Sequence, residues 1–134
     1  MRLPIAVSAN ILQQQVRPGK WDSLFVSDPY PVYDNGRWIC FYFGNDSAHA
    51  QEGIAWSDDL MHWERNDAPI IPHGPKGSHD ESHAHKPCVV RHDGTLYHFY
   101  TGVRPVRPDD VVAALQHHEF RAIYVATDRN ILSV

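Results

Sequence analysis

Two stretches of this chain are versions of one pattern: VSDPYPVYDNGRWICFYFG at residues 26 to 44 and AHKPCVVRHDGTLYHFYTG at residues 84 to 102. Set at an offset of 58 residues, they share Pro29 with Pro87, Val32 with Val90, Gly36 with Gly94, Phe41 with Phe99, Tyr42 with Tyr100 and Gly44 with Gly102. Each copy reads as an extended run, an Asn-Gly or Asp-Gly turn that accepts positive φ, and a second run rich in aromatic and β-branched residues. One β-hairpin is written twice, and the fold must be assembled from repeats of that unit.

In RWICFYF the residues Trp38, Cys40 and Tyr42 point one way and Ile39, Phe41 and Phe43 the other, so both faces of the strand are apolar and both need covering. GIAWSDDLMHWER then supplies a third strand at about 53–57, a turn, and a short fourth strand near His62 to Arg65. RAIYVATDR supplies the third strand of the second copy, with Ala126-Thr127-Asp128 set against Trp56-Ser57-Asp58. The offset has grown to 70 there, and the added residues fall in PVRPDDVVAALQH, where Asp109 or Asp110 is placed to cap a helical turn. A four-stranded unit that repeats every 40 to 60 residues and is buried on both faces predicts an all-β fold of the β-propeller type. Two hairpins packed as a sandwich are the simpler alternative. The expected layout is an unassigned segment over 1–20, blade one over about 21–68 and blade two over about 82–134.

Charge and composition exclude several functions. The net charge of −4 is spread along the chain without a Lys/Arg cluster, so neither nucleic acid nor an anionic membrane is an expected partner. No run approaches the roughly 20 apolar residues of a membrane span, and the first residues carry no recognisable export signal, which leaves the cytoplasm as the default address. Cys40 and Cys88 are too few for a disulfide scaffold and read as two reduced, packed thiols.

The motifs that follow one another here are Ser27-Asp28-Pro29, Phe41-Tyr42, SDDLMHWE from Ser57 to Glu64, Pro69-Ile70-Ile71-Pro72 and DGTLYHFYTG. In that order they resemble the five-bladed propeller of the clan that contains glycoside hydrolase families 32 and 43, over about residues 21–128. Two departures stand out: YP follows the first Asp-Pro in place of Asn-Gly, and HAHKP replaces the family's Phe-Ser-Gly-Ser before the second blade. The resemblance implies about two blades of five, an incomplete domain, with the Arg-Asp-Pro and general-acid Glu motifs of later blades outside this chain. A two-blade piece leaves propeller faces uncovered, and self-association is one way to cover them.

Glycoside hydrolysis needs two carboxyl groups, one to protonate the leaving oxygen and one to attack the anomeric carbon or activate water. The resemblance makes Asp28 the second of these, nucleophile or general base, at the start of the innermost strand of blade one. The residues alone leave a plainer reading, in which Asp28 caps a turn before Pro29 and is held extended by it. Lys86 aligns with Asp28 in the second copy, so the conserved positions read as scaffold and the swapped one as each blade's contribution to a common hub. A cation there favours the ionised form of a neighbouring carboxylate. GSHDESHAHK packs His79, Asp80, Glu81, His83 and His85 together: His83 and His85 are candidates for substrate hydroxyls or a metal, and Asp80 or Glu81 for the acid. Gly77 and His83-x-His85 also match the opening of a cupin metal motif, but the Glu that should follow is absent. Trp21 is a candidate sugar-stacking platform at the pore mouth. The expected function is a glycosidase acting on oligo- or polysaccharide without a nucleotide, flavin or metal cofactor; a carbohydrate-binding propeller and a cupin-like metal enzyme are the alternatives.

Overall fold

A computed structural model describes residues 10–13, 15, 18–111 and 117–128. Its seven elements are all strands: β1 Phe25–Asp34, β2 Arg37–Asn45, β3 Ala50–Ser57, β4 Glu64–Arg65, β5 His83–His92, β6 Thr95–Pro105 and β7 Glu119–Thr127. β1 to β4 pair antiparallel in sequence order, as do β5 to β7. A single parallel bridge, Ala50 to His83, joins the two units. They are therefore two blades laid face to face rather than one continuous sheet. The hairpins form where the sequence demands left-handed residues, with φ of 50° and 83° at Asn35 and Gly36, and 47° and 73° at Asp93 and Gly94.

The two apolar faces of β2 are covered by different partners. Phe41 and Phe43 pack edge-on against His98 and His85 of blade two, with ring centroids 5.1 and 5.3 Å apart. On the other face Tyr42 and Ala55 form a core with Trp21, and Leu12, Val26 and Trp63 pack around it. A Cβ on Gly53 would lie 2.3 Å from the Trp21 ring, and one on Gly44 would lie 2.2 Å from the Asp22 Cβ. These glycines let the segment before β1 lie directly on the sheet.

Two expectations change. Trp38 pairs with Ser57, whereas the Asp128 amide donates to the Leu96 carbonyl, so the third strands correspond one residue further along than the Ala126-Thr127-Asp128 alignment. Cys40 is buried but Cys88 is exposed, because β5 turns that face outward. The Asp110 carboxylate accepts from Arg104 at 2.7 Å and from the Arg107 amide at 2.6 Å. Most of the helical turn expected after it, residues 112–116, lies outside the described residues.

Candidate active site

The inner strands β1 and β5 are interrupted at equivalent places. Register slips between Ser27 and Tyr30 in β1, and between His85 and Cys88 in β5. In each interruption one residue is left-handed, Asp28 at φ 51° and Lys86 at φ 64°. A proline should have driven both toward extended geometry, so the extended backbone expected at Asp28 does not form. A side chain in the left-handed region costs on the order of 1–2 kcal/mol, and a bulge re-aims the residue it carries. The same cost is accepted at the same place in both blades, at a repeat position where a carboxylate is replaced by a lysine. Such strain persists where the surrounding structure over-determines it, commonly at functional sites.

Asp28 and Lys86 are both exposed. The Asp28 carboxylate makes one long contact, accepting from Ser27 Oγ at 3.5 Å. Both charges act on His85, and Asp28 also acts on Glu52, two buried groups of the layer between the blades. In that layer His98 Nε2 lies 3.0 Å from Glu52 Oε2, and Glu52 is wholly buried. Burial is the main cause of the rise in the Glu52 pKa, which its His98 partner opposes.

His85 is 8% exposed, and its Nε2 has no hydrogen-bond partner. Burial first, then the charges of His83, Arg121 and Lys86, push its pKa down to about 4. The folded protein thus refuses a proton that the unfolded chain takes up near pH 6.5. The stability this contributes is present above that pH and is lost as pH falls from about 6.5 to about 4, by up to about 3 kcal/mol. Urea unfolding at pH 7 and pH 4.5 should show His85→Phe losing less stability on acidification than the parent; an equal loss in both would remove His85 as the cause.

Sequence reading missed a second repeated pair. Extending the offset of 58 upstream aligns Trp21-Asp22 with His79-Asp80. Asp22 is fully buried and bonded to Arg65 at 2.6 Å. Asp80, 7% exposed, accepts from the Tyr100 hydroxyl at 3.1 Å and from Ser78 Oγ at 3.0 Å. Each blade is introduced by an aromatic residue and a buried Asp lying over Gly44 or Gly102. Asp80 is therefore structural and not the missing acid. Glu81 is engaged by the Gly77 amide. Trp21 is likewise corrected: it is 7% exposed, stacks on Tyr42 at 5.7 Å and donates Nε1 to the Asp67 carbonyl at 3.1 Å, so it has no free face for a sugar.

Asp28, Lys86 and His83 lie at the same end of the blades, where β1, β3 and β5 begin and β2 and β6 end. His83 Nδ1 accepts from the Ala50 amide at 2.9 Å. Around it the loops bring His49 and His73, which no motif singles out because they stand far apart in sequence. Among the described residues no three His, Cys, Asp or Glu side chains are placed to hold one metal ion. Paired propeller blades also replace the cupin alternative.

A family model described as Glycosyl hydrolases family 32 N-terminal domain matches residues 22–131. The chain belongs to this family. Solved structures agree with the membership of this family 32 chain. A structure described as a BT0996 RGII complex is similar with a TM-score of 0.61 and 28% identity, over 79% of this chain and 28% of that one. A structure described as a glycoside hydrolase gives 0.59 and 30%, over 79% and 28%. A glycosyl hydrolase from Bacteroides ovatus gives 0.61 and 20%, over 83% and 30%, which bears on the fold alone. No curated protein matches. The family 32 chain spans about three-tenths of the length of these structures.

Proposed function

We propose that this chain forms part of the active site of a glycosidase, with Asp28 as nucleophile or general base. The observation that carries the reading is the left-handed bulge at Asp28, matched at Lys86. As nucleophile, Asp28 bonds to the anomeric carbon while the aglycone oxygen leaves with a proton from an acid; as base, it takes a proton from the attacking water. Family membership supports the reaction class. Lys86, His83 and His85 are the proposed substrate-side residues: Lys86 as a cation beside the reacting carboxylate, His83 as a hydroxyl contact at the rim, and His85 as the buried layer beneath. The test is release of aglycone from a panel of aryl glycosides; sugar binding with no turnover of any member favours the carbohydrate-binding propeller instead.

The outer face of blade two also supports the proposed self-association. Val90, Phe99, Ile123 and Val125 are 49%, 37%, 77% and 43% exposed, and cross-strand pairing brings them onto one face. An apolar face of this kind is normally covered by the next blade. Sedimentation velocity of the 134-residue chain should show concentration-dependent association, relieved by Ile123→Lys with Val125→Lys. A parent that stays monomeric at every concentration removes the proposal.

A further inference from the structure

The loops at the Asp28 end build a feature that the catalytic reading leaves unused. His49 and His73 lie face to face, with ring centroids 3.7 Å apart and planes within 6°. His49 Nδ1 lies 2.8 Å from the Ser82 carbonyl, and His73 Nδ1 lies 3.0 Å from the Glu81 carbonyl and 3.1 Å from that of Gly74. Carbonyl oxygens only accept, so each Nδ1 carries a proton and each neutral ring has its lone pair on Nε2. Neither Nε2 has a hydrogen-bond partner among the described residues. His83 is the opposite tautomer: its Nδ1 accepts from the Ala50 amide, which leaves Nε2–H as a donor. A ring whose Nδ1 accepts is the neutral imidazole; burial lowers the His83 pKa, opposed by Glu119 and aided by His49. All three rings line one cavity of about 530 Å³, with Lys76, Glu81 and Glu119 at its wall.

The three anchored rings line one cavity. Parallel rings do not aim their lone pairs at one point, as the ligands of a tetrahedral metal must. They suit two separate donors held side by side. Adjacent hydroxyls on a sugar ring stand about one hydrogen-bond length apart, less than the 3.7 Å between the stacked rings, so each can reach an acceptor of its own. We propose that His49, His73 and His83 form a subsite for a vicinal diol of a carbohydrate, with His49 and His73 each accepting from one hydroxyl and His83 donating to an oxygen. The subsite rests on the reading of this end of the propeller as a carbohydrate site, and it places a second sugar unit on the blade-two side of Asp28.

The test reads binding without turnover. The protein is titrated with methyl β-D-xylopyranoside, methyl α-L-arabinofuranoside and methyl β-D-galactopyranoside, and with their monodeoxy counterparts, while long-range proton–nitrogen spectra follow the histidine side chains. At least one glycoside should move the Nε2 resonances of both His49 and His73. Removing either hydroxyl of the bound diol, or substituting His49→Phe or His73→Phe, should weaken binding at least about tenfold, the scale of one lost hydrogen bond. Near-UV circular dichroism confirms that the variants are folded, and the shifts in the parent stand without them. Binding that moves neither imidazole overturns the subsite and leaves Asp28 untouched, and so does failure of every glycoside to bind. Binding at the pair without hydrolysis of any aryl glycoside overturns the catalytic reading alone.

Discussion

Asp28→Asn is expected to lower turnover of an aryl glycoside by at least about a thousandfold, the scale on which loss of a reacting side chain is measured, with the fold intact. Asparagine keeps the shape of the side chain and tolerates the left-handed backbone as well as aspartate does, while removing the negative oxygen that attacks or takes the proton. Asp28 is exposed and makes one long contact, so its amide leaves no buried partner unsatisfied. The neighbouring effect on stability separates this account from a turn-capping role. Glycine at position 28 or 86 relieves the left-handed strain at φ 51° or 64°, so Asp28→Gly and Lys86→Gly should each stabilise the chain by up to about 1 kcal/mol. Asp28→Gly would then be firmer and inactive, the pattern of a residue held in place for function. A capping aspartate predicts the reverse: a less stable, fully active variant.

Trp21→Ala is expected to destabilise the chain by about 3–5 kcal/mol, as removal of a large buried aromatic side chain does. The ring fills the space that Gly44 and Gly53 leave open and stacks on Tyr42. Its loss also leaves the Asp67 carbonyl without the indole donor. Urea denaturation gives the value directly. A sugar platform would behave otherwise, with an unchanged unfolding midpoint and a raised KM. Gly53→Ala should act in the same direction as the tryptophan deletion, because its new methyl group meets the same ring.

Hairpins, blade order and two-sided burial were legible because each rests on local pattern: Asn-Gly and Asp-Gly turns, alternation, and a doubled run of aromatics. SDDLMHW, the most telling family motif, turns out to be a turn built on itself. Ser57 Oγ accepts from the Leu60 amide at 2.9 Å, and Asp59 accepts from the Met61 and His62 amides at 2.8 Å. It identifies the family without touching the hub. What escaped depends on third dimensions of the fold. Trp21 reads as a platform until Gly53 is seen beneath it. Asp22 and Asp80 stand just before the two repeated stretches, related by the same offset of 58, with no match immediately on either side to mark the pair. The left-handed turn at Asp28 opposes the local rule for a residue before proline, so only tertiary structure reveals it. His49 and His73 come together because two loops meet, which no spacing encodes.

The central claim is that the carboxylate of Asp28 performs the step at the anomeric carbon, whether by direct attack or by activating water. Its most direct test is azide rescue of Asp28→Ala with an aryl glycoside. In either role, removing the carboxylate leaves room for a small anion to attack the sugar directly. The account predicts negligible turnover without azide, recovery with increasing azide, and a glycosyl azide as product. Full activity of Asp28→Ala without azide would contradict it, as would an inactive variant that forms no glycosyl azide at any azide concentration.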